Sequence, residues 1–433
     1  MHVHFIGIGG IGVSALAKLY LAKRATVSGS DLTHSEITDE LEALGVRIAY
    51  GAHKKSNIPE DTSLLIYTAA VKKDNPELTA AREHRIPVQS YPEAVGAITK
   101  DHRTITISGT HGKSTTTALA ALVLEEGYCD PTVIVGTKIR EFGNSNFRKG
   151  KSGYFVLEAD EWNKSFLKYH PLIAVVTNID ADHLDTYKTL ARVEEAFAKY
   201  LARVPEEGTI VANADDPTLT KIAKRFGKRV RWYSLKDRDA ADIRTALRVP
   251  GEHNVSNALA AARVGQILGI QWPHILAAIA RFGGTWRRFE FKGVLKNAFF
   301  FTDYGHHPTE IKATIQAARE RFPMRRIWCV YQPHQYQRLS YLWNDFITAF
   351  DMADRVVLLP VYDVAGRETK TAKEKVNSEK LAHELLRRGK DVSHADSFEA
   401  ARDLLFEELH PSDVVLIMGA GDIYEFNAFL GLA

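Results

Sequence analysis

The sequence contains little cysteine, no long apolar run and no dominant charge. Its two cysteines, Cys129 and Cys329, lie far apart. They have no metal-ligand spacing, so we expect no disulfide framework and a reducing, cytoplasmic environment. No run of about 18 apolar residues and no secretory leader pattern occur, so we expect no membrane segment. Lysine and arginine number 56 against 53 acidic residues, a near balance that gives no support to nucleic-acid binding.

The remaining composition is typical of a globular protein of several domains. A chain of 433 residues predicts two to four domains. The hydrophobic share of 45% and the charged share of 25% lie in the ordinary range for globular proteins. Apolar strands alternate with helical stretches along most of the chain, which predicts the α/β class.

Residues 104–118, TITISGTHGKSTTTA, predict a strand, a tight glycine loop and the start of a helix. Gly109 and Gly112 allow the backbone N–H groups to approach phosphate oxygens, and the helix N-terminus adds its dipole. Lys113 can reach the β- and γ-phosphates, and the Ser114 hydroxyl can bind Mg²⁺. The full Walker A pattern requires a glycine at position 107, where this chain has Ile107. An ordinary glycine turn before a helix is therefore the alternative interpretation.

A second glycine loop lies near the start of the chain. Residues 2–7 read as a strand, and Gly7, Gly9 and Gly12 follow in the pattern G-x-G-x-x-G, with Asp31 after the next strand. This is the dinucleotide fingerprint with its acidic residue. It predicts only that a diphosphate could approach the turn. A NAD-dependent oxidoreductase and a tight turn without a ligand remain alternatives.

Predicted strands of the middle segment end in polar residues. One ends at Glu158 and Asp160, which we expect to share a face of an extended strand, and the stretch 172–185 carries Asp180, Asp182 and His183. Ligands gather at the carboxyl ends of parallel strands, so these residues predict one site beside the phosphate loop. A carboxylate there can bind Mg²⁺. Asp160 and Glu161 could equally be solvated or structural. His183 could be a hydrogen-bonded loop histidine, because imidazole prefers softer metals.

A predicted helix begins near Asn254, after Pro250 and Gly251. Asn254 and Asn257 are three residues apart and therefore share a face. Two amides on one face could read the edge of a nucleotide base. Capping of the helix by Asn254 is the alternative.

The last segment begins near residue 287 and again alternates strands with helices, as parallel α/β domains do. Asp303 and the pair His306 and His307 adjoin the end of one strand, and His334 and Arg338 follow another. A histidine pair is often a capping or surface feature. Because charged and imidazole side chains follow the ends of two different strands, a functional site is favoured.

Taken together, these stretches resemble the Mur ligases, the ATP-dependent amide-forming enzymes of peptidoglycan synthesis. The resemblance covers nearly the whole chain, and GTxGK is the family's own short phosphate loop. It rests on eight ordered motifs: GIGGIG (7–12), GTHGKSTTT (109–117), EADE..SFL (158–167), TNIDADHLDTY (177–187), GEHNVSNALAA (251–261), RRFE (287–290), DYGHHPTE (303–310) and QPH (332–334).

The resemblance implies an α/β fold of three domains. These are a Rossmann-like domain for the UDP-sugar (1–102), a central P-loop ATPase-type domain (103–286) and a Rossmann-like domain for the amino acid (287–433). Within the family, the motifs are most similar to the branch that joins L-alanine to UDP-N-acetylmuramate. The implied substrates are therefore UDP-N-acetylmuramate, L-alanine and ATP, with Mg²⁺ as cofactor, and the expected assembly is a monomer or a homodimer.

The resemblance also implies roles for individual residues. Lys113, Glu158, His183, Arg288 and His306 would carry the chemistry, and Ser114, Glu158 and His183 would hold Mg²⁺. ATP would contact Gly109, Thr110, His111, Gly112, Lys113, Ser114, Thr115, Asn254, Asn257, Arg288 and Asp303. The UDP-sugar would contact Gly9, Gly10, Ile11, Gly12, Ser30, Asp31, Thr68, Ala69 and Ala70, and the amino acid would contact Tyr304, His306, His334 and Arg338.

One departure from the family pattern bears on specificity. Gln335 follows QPH, where this branch usually has arginine, and a guanidinium near the substrate carboxylate is lost. A sister ligase that adds another amino acid or the murein tripeptide is therefore the near alternative. A nicotinamide-dependent oxidoreductase and a non-catalytic nucleotide-binding regulator are alternatives of other classes. The phosphate loop with Lys113 and Glu158 counts against both.

Overall fold

The computed structural model describes residues 1–363 and 370–432. Within the described part, the chain folds into two compact units. The first unit comprises Met1–Ile179, Val193–Ala246 and Ser256–Phe282, and the second comprises Asp180–Arg192, Leu247–Val255 and Gly283–Ala433.

The chain begins with a five-stranded parallel sheet in the order β3-β2-β1-β4-β5. The neighbouring strands β1 and β4 bring the first glycine loop and the segment after residue 67 to the same edge of the sheet. The elements are β1 (His2–Ile6), α1 (Ile11–Ala22), β2 (Thr26–Asp31), α2 (Glu36–Ala43), β3 (Arg47–Tyr50), β4 (Leu64–Tyr67), α3 (Pro76–Glu83), β5 (Val88–Ser90) and α4 (Tyr91–Lys100).

A seven-stranded sheet follows, in the order β12-β11-β10-β6-β9-β7-β8. Its strands are parallel except for the antiparallel pair β7 and β8. The elements of this stretch are β6 (Arg103–Ser108), α5 (Lys113–Glu126), β7 (Thr132–Ile139), β8 (Ser145–Arg148), β9 (Tyr154–Glu158), β10 (Ile173–Val176), α6 (Leu184–Tyr187), α7 (Leu190–Leu201), β11 (Thr209–Asn213), α8 (Pro217–Ala223), β12 (Val230–Tyr233), α9 (Asp239–Ala246), α10 (Glu252–Ile267) and α11 (Trp272–Arg281).

The second unit contains a six-stranded sheet in the order β13-β14-β18-β15-β16-β17. Only its first pair, β13 and β14, is antiparallel. The elements are β13 (Glu290–Leu295), β14 (Ala298–Asp303), α12 (Pro308–Arg321), β15 (Ile327–Tyr331), α13 (Tyr336–Tyr341), α14 (Trp343–Ile347), β16 (Arg355–Leu358), α15 (Lys370–Lys375), α16 (Ser378–Arg387), β17 (Val392–His394), α17 (Phe398–Glu408), β18 (Val414–Met418) and α18 (Glu425–Phe429).

The central strands form because they are apolar on both faces. β10, β15 and β18 are buried at every position, as expected for parallel strands covered by helices on both sides. The α/β class predicted from the sequence is confirmed. In the portion of the chain that is described, no helix has the length and apolarity needed to cross a membrane.

Some sequence-based element predictions were wrong. The stretch 172–185 is a strand only over Ile173–Val176, and α6 occupies its end. Strand β9 ends at Glu158, so Asp160 does not alternate with Glu158 along one strand. The antiparallel β7–β8 hairpin and the edge strand β13 were not predicted, because neither shows a long apolar run.

Candidate functional site

The phosphate loop lies between the end of β6 and the start of α5. Gly109 and Gly112 have φ of 128° and 80°, in a region that residues with a Cβ rarely adopt. A Cβ on Gly109 would come within 2.1 Å of Thr177 Oγ1, and one on Gly112 within 2.3 Å of Asn257 Oδ1. Both glycines are therefore required, and Asn257 packs directly against the loop.

Two residues that sequence reasoning did not single out hold this loop. Thr110 N donates to the carbonyl of Asn178 (3.1 Å), and His111 N donates to Asn178 Oδ1 (2.8 Å). The Thr177 hydroxyl donates to the His111 carbonyl (2.6 Å). Thr177 and Asn178 open the motif TNIDADHLDTY, and this position was the only available signal.

Lys113 begins α5 and is held by oxygen atoms. Its Nζ donates to the carbonyl of Gly109 (2.7 Å) and to Glu161 Oε2 (3.0 Å). Burial disfavours the charged ammonium, but nearby carboxylates, with Glu161 the largest, raise the pKa of Lys113 above its ordinary value. The side chain of Glu161 is only 2% exposed. Sequence reasoning did not assign this buried ion pair.

Glu158 and Ser114 lie together beside the loop. The Ser114 hydroxyl is hydrogen-bonded to the Glu158 carboxylate, which also accepts the Gly136 N–H (2.8 Å). Burial raises the pKa of Glu158, and the charge of Lys113 opposes this rise. Glu158 is half-buried. A carboxylate beside a hydroxyl is an oxygen donor set of the kind that Mg²⁺ prefers, so these residues fit the ion.

Two other residues predicted to contact ATP, Thr115 and Asn254, lie on different helices. Thr115 is buried in the first turn of α5. Asn254 belongs to the second unit and lies inside α10, where its Nδ2 donates to the carbonyl of Pro250 (2.7 Å). Asn254 therefore does not act as the N-cap, and the side-chain amide holds the preceding turn.

The first glycine loop is shaped by Asp31. The Asp31 carboxylate accepts the N–H of Gly9 (2.8 Å) and of Leu32 (2.8 Å). Gly10 is the N-cap of α1, and Ile11 is its first residue. The backbone carbonyl of Ser30 accepts the N–H of Gly7 (2.8 Å). The predicted loop residues are thus brought together at one edge of the sheet.

The segment after β4 closes the same edge. A Cβ on Gly7 would meet Thr68 Cγ2 at 2.4 Å, and one on Gly12 would meet the Tyr91 hydroxyl at 2.9 Å. Thr68 N donates to the carbonyl of Ile6 (3.1 Å). Ala69 is half-buried and Ala70 is exposed, so both border open space beside the loop.

The buried carboxylate of Glu77 fixes the side chain of Ser30 through a hydrogen bond. Glu77 is fully buried and accepts the Ser30 hydroxyl (2.9 Å). It is also hydrogen-bonded to His4 Nε2 (3.0 Å), His53 Nδ1 (2.8 Å) and Asn57 Nδ2 (2.9 Å). This network was not predicted, because its members come from distant parts of the sequence.

In the second unit, Arg288 lies beside a carboxylate and an aromatic ring. Its Nη1 donates to Glu310 Oε1 (3.3 Å), and its guanidinium carbon lies 5.2 Å from the centre of the Tyr304 ring. Burial disfavours the charge, but Glu310 raises the pKa of Arg288. Arg287 has a different environment, because its Nη2 donates to the carbonyl of Gly419 (2.9 Å).

Asp303, at the end of β14, organises the neighbouring backbone. Its Oδ2 accepts the N–H of Phe289 (2.8 Å), and its Oδ1 accepts the N–H of Gly305 (2.7 Å). Burial raises the pKa of Asp303, and Arg288 opposes this. Its bonds fix the turns that carry Arg288 and Tyr304.

His306 lies among aromatic rings near the start of α12. Its Nδ1 donates to the carbonyl of Tyr304 (3.2 Å), and its ring centre is 6.0 Å from that of His334. The His334 ring stacks on Tyr362 at 5.5 Å. Burial, reinforced by the charge of Arg338, lowers the pKa of His306 well below its ordinary value. His306 is therefore neutral at pH 7.

Arg338 is bound by a carboxylate from an earlier part of the chain. Its Nη2 lies 3.1 Å from Asp182 Oδ1, and both side chains are less than a tenth exposed. Burial alone would raise the pKa of Asp182, but Arg338 holds it well below its ordinary value. A pocket at this pair is lined by Ala181, Asp182, His183, Leu184, Gln335, Gln337, Arg338, Tyr341 and Leu342.

His183 and Gln335 border this pocket with unusual backbones. His183 is the N-cap of α6 with φ of 52°, and its Nε2 lies 3.8 Å from Asp182 Oδ2. Gln335 has φ of 72° and ψ of 124° at the N-cap of α13. Its N–H donates to the carbonyl of Tyr362 (3.1 Å). Gln335 thus lies at the pocket wall on a strained backbone.

Known protein families and curated relatives match this chain along most of its length. Three family models match in order: "Mur ligase family, catalytic domain" over residues 2–103, "Mur ligase middle domain" over 107–265 and "Mur ligase, glutamate ligase domain" over 287–421. UDP-N-acetylmuramate–L-alanine ligase from Acetivibrio thermocellus is 40% identical over 98% of this chain and 94% of its own. The ligase of that name from Clostridium tetani is 41% identical over 98% of this chain and 96% of its own.

Solved structures give the same result. UDP-N-acetylmuramate–alanine ligase from Thermotoga maritima aligns with a TM-score of 0.81 and 30% identity over 100% of this chain and 98% of its own. A murein peptide ligase from Psychrobacter arcticus shares the fold, with a TM-score of 0.74 and 22% identity over 99% of this chain and 98% of its own. From these matches and the two glycine loops, the chain belongs to the Mur ligase family.

Proposed function

We propose that this chain is an ATP-dependent ligase that joins L-alanine to the lactyl carboxylate of UDP-N-acetylmuramate. The observation that supports this most is the phosphate loop with Lys113 at the start of α5 and the Glu158 carboxylate beside it. It occurs in a chain matched over almost its full length by ligases of that name. ADP and phosphate would be released, and the product would be a peptidoglycan precursor.

The proposal assigns each substrate to one part of the chain. Residues 1–102 would bind the UDP-sugar through the first glycine loop, residues 103–286 would bind ATP, and residues 287–433 would bind the amino acid. Ser114 and Glu158 would hold Mg²⁺, and His183 would bind a second ion. The metal would supply positive charge at the phosphate oxygens. A cytoplasmic monomer or homodimer stays a prediction.

In the first step a carboxylate is converted into an acyl phosphate. An oxygen of the lactyl carboxylate attacks the γ-phosphorus of ATP, the bond to the β–γ bridging oxygen breaks, and ADP leaves. Two anions must approach each other, so Lys113 and Arg288 would offset their repulsion. The carboxylates that hold these cations, Glu161 and Glu310, keep them charged and oriented before the substrates bind.

In the second step the neutral amine of alanine attacks the acyl carbon. The carbon–oxygen bond to phosphate breaks, phosphate leaves with the bonding pair, and the amine loses one proton. His306 is a candidate for the base, because its Nδ1 donates to the Tyr304 carbonyl and leaves Nε2 with a lone pair. Its lowered pKa keeps this lone pair available at pH 7.

Arg338 would bind the carboxylate of the amino acid. Asp182 holds one side of the guanidinium through Nε (3.2 Å) and Nη2 (3.1 Å), and arginine carries five N–H donors in a rigid fork. Nη1 donates to His334 (3.2 Å to Nδ1), so a second carboxylate would bind at Nη1 and Nη2 in place of that contact. Gln335 lines the same pocket and adds an amide where a second guanidinium would stand in related ligases.

The test is phosphate release from ATP and Mg²⁺ with UDP-N-acetylmuramate, with L-alanine, glycine, L-serine and the murein tripeptide compared as acceptors. We expect release that depends on both the UDP-sugar and L-alanine. If phosphate were released only with another acceptor, the proposed ligase activity would stand and the proposed specificity for L-alanine would be rejected. A folded protein that binds ATP and the UDP-sugar without release would support a non-catalytic regulator. Binding of a nicotinamide cofactor would favour an oxidoreductase.

A further inference from the structure

We propose that five side chains, Lys18, Glu36, Glu40, Lys138 and Asn146, form a clamp that positions the acceptor carboxylate against the γ-phosphate. The clamp joins helices α1 and α2 of the first sheet region to the β7–β8 hairpin of the second, inside one compact unit. We call it the hairpin clamp. Its role rests on the proposed ligase function. Its members are positioning residues, since none reaches the reacting atoms.

Asn146 is the clamp's contact with the first glycine loop. Its side chain is buried, and its Nδ2 donates to the carbonyl of Ile11 (2.6 Å) and to Ser14 Oγ (2.8 Å). Its Oδ1 accepts Lys18 Nζ (3.0 Å). Ile11 is the first residue of α1. A residue of the ATP-binding region therefore fixes the start of the helix that would face the UDP diphosphate.

Two buried lysines complete the clamp. Lys138 Nζ lies 2.5 Å from Glu36 Oε1 and 2.5 Å from Glu40 Oε1, and Lys18 Nζ lies 3.0 Å from Glu40 Oε2. Lysine is almost never buried unless it is paired. Glu36 is mostly exposed, whereas Glu40 contacts both lysines. Glu40 therefore ties the two buried ammonium groups together, and the four charged groups carry no net charge.

The same hairpin also holds the carboxylate predicted to bind metal. Gly136 N donates to Glu158 Oε2 (2.8 Å), and a Cβ at Gly136 would come within 2.9 Å of both carboxylate oxygens. Gly136 and Lys138 are two residues apart on β7, so about 7 Å of backbone separates them. One short piece of strand thus connects Glu158 with helix α2.

This connection matters because phosphoryl transfer depends on distance and alignment. A misplacement of about 1 Å can cost roughly 100-fold in rate while binding is preserved. Loosening the hairpin clamp should let the sugar-binding helix shift relative to Glu158 without removing any group that contacts a substrate. The expected signature is a fall in kcat with little change in either substrate's affinity.

The experiment compares Asn146→Ala and Lys138→Met with a control in the same hairpin, Arg148→Met. Arg148 pairs with Glu125 and Asp130 and does not contribute to the clamp. Steady-state kinetics, calorimetric binding of UDP-N-acetylmuramate and of a non-hydrolysable ATP analogue, and urea unfolding are measured for each. We expect kcat to fall roughly 10- to 100-fold in the clamp variants, with both dissociation constants within about threefold and the control's kcat within about twofold.

Each other outcome has a definite meaning. An unchanged kcat in folded clamp variants, or an equal fall in Arg148→Met, overturns the positioning role. Weaker binding with unchanged kcat would make the clamp part of the binding site only. Should Asn146→Ala fail to fold, Lys138→Arg, which keeps the charge but changes the geometry, gives the same test. Wild-type protein that binds both substrates without any turnover would instead reject the proposed function.

Discussion

At the scale of single residues, the cations predicted to bind anionic substrates are already paired with buried carboxylates. Lys113 pairs with Glu161, and Arg338 pairs with Asp182. Truncating one member of such a pair leaves an uncompensated charge in the interior, which costs more than the pair itself contributes. Loss of activity and loss of stability must therefore be separated when these residues are replaced.

Replacing Lys113 by Met should abolish turnover and also lower the free energy of unfolding by about 3–5 kcal/mol, because buried Glu161 loses its ion pair with the ammonium. The double variant Lys113→Met with Glu161→Gln should recover most of this stability and still show no turnover. Urea unfolding and phosphate release measure the two effects. As a control, Lys199→Met removes an exposed pair with Glu195 and should change neither. Equal stability of the single and double variants would contradict this account.

The backbone at Gln335 provides a second prediction. A non-glycine residue at φ of 72° and ψ of 124° costs about 1–3 kcal/mol, whereas glycine loses about 1 kcal/mol of chain entropy on folding. Gln335→Gly should therefore raise the free energy of unfolding slightly. Gln337→Gly, inside α13, should lower it by about 0.5–1 kcal/mol. Thermal melts compare them, and a drop in both would show that Gln335 carries no strain.

Residue types and residue partners differ in how well the sequence predicts them. Lys113, Ser114 and Gly112 follow from a local pattern, since a phosphate loop needs them in that order. Glu161 and Asn178 do not, because their roles depend on which strand ends meet in the fold. A motif indicates the cation, but its carboxylate partner becomes visible only once the chain is folded.

At the scale of elements, the phosphate loop combines two separate requirements for glycine. Gly109 needs both an unusual φ and empty space, since a Cβ would overlap Thr177 Oγ1. Gly143, in the turn of the β7–β8 hairpin, has φ of 73° but nothing within 4 Å of the Cβ position. The two positions therefore separate backbone strain from steric overlap.

Gly109→Ala should lose nucleotide binding and destabilise the fold by more than Gly143→Ala, which is expected to cost only about 1 kcal/mol for the left-handed backbone. Nucleotide titration and urea unfolding of both variants provide the comparison. Similar losses in the two variants would mean that contact with Thr177 is unimportant. Nucleotide binding that survives in Gly109→Ala would remove this loop from the proposed site.

Elements with long apolar runs were predicted, and short polar ones were not. Strands β10, β15 and β18 stand out because burial on both faces demands continuous apolar residues. The β7–β8 hairpin does not, because glycine and charged residues interrupt it and its value lies in contacts with α1 and α2. The sequence could not show that these polar residues would be buried together.

At the scale of the whole molecule, buried carboxylates make stability depend on pH. Burial would raise the pKa of Glu77, but hydrogen bonds from His4, Asn57, His53 and Ser30 hold it below its ordinary value. The unfolded chain then binds a proton more readily than the folded one just below pH 4.5. The stabilisation from this group is present above that range and is lost as pH falls through the folded pKa.

Glu77→Gln should therefore lower stability at pH 7 and reduce the dependence of stability on pH between about 5 and 3. Urea unfolding across this range measures the slope. Glu207→Gln, at an exposed position, is the control and should keep the wild-type slope. A Glu77→Gln variant with an unchanged slope would show that the network does not hold this carboxylate charged.

The family and its α/β class could be predicted from eight ordered motifs, six of which lie at the ends of strands. The division into compact units could not. The segments Asp180–Arg192 and Leu247–Val255 belong to the unit of the last sheet, although both interrupt the middle of the sequence. Such membership depends on packing between distant segments, which no local pattern records.

The hairpin clamp has a consequence for recombination between related enzymes. Glu36 and Glu40 come from α2, whereas Lys138 and Asn146 come from β7 and β8. A chimera that exchanges only the first hundred residues would bring together halves of two different clamps. Active chimeras should therefore take α1, α2 and the β7–β8 hairpin from the same parent enzyme, even though about a hundred residues of sequence separate α2 from the hairpin.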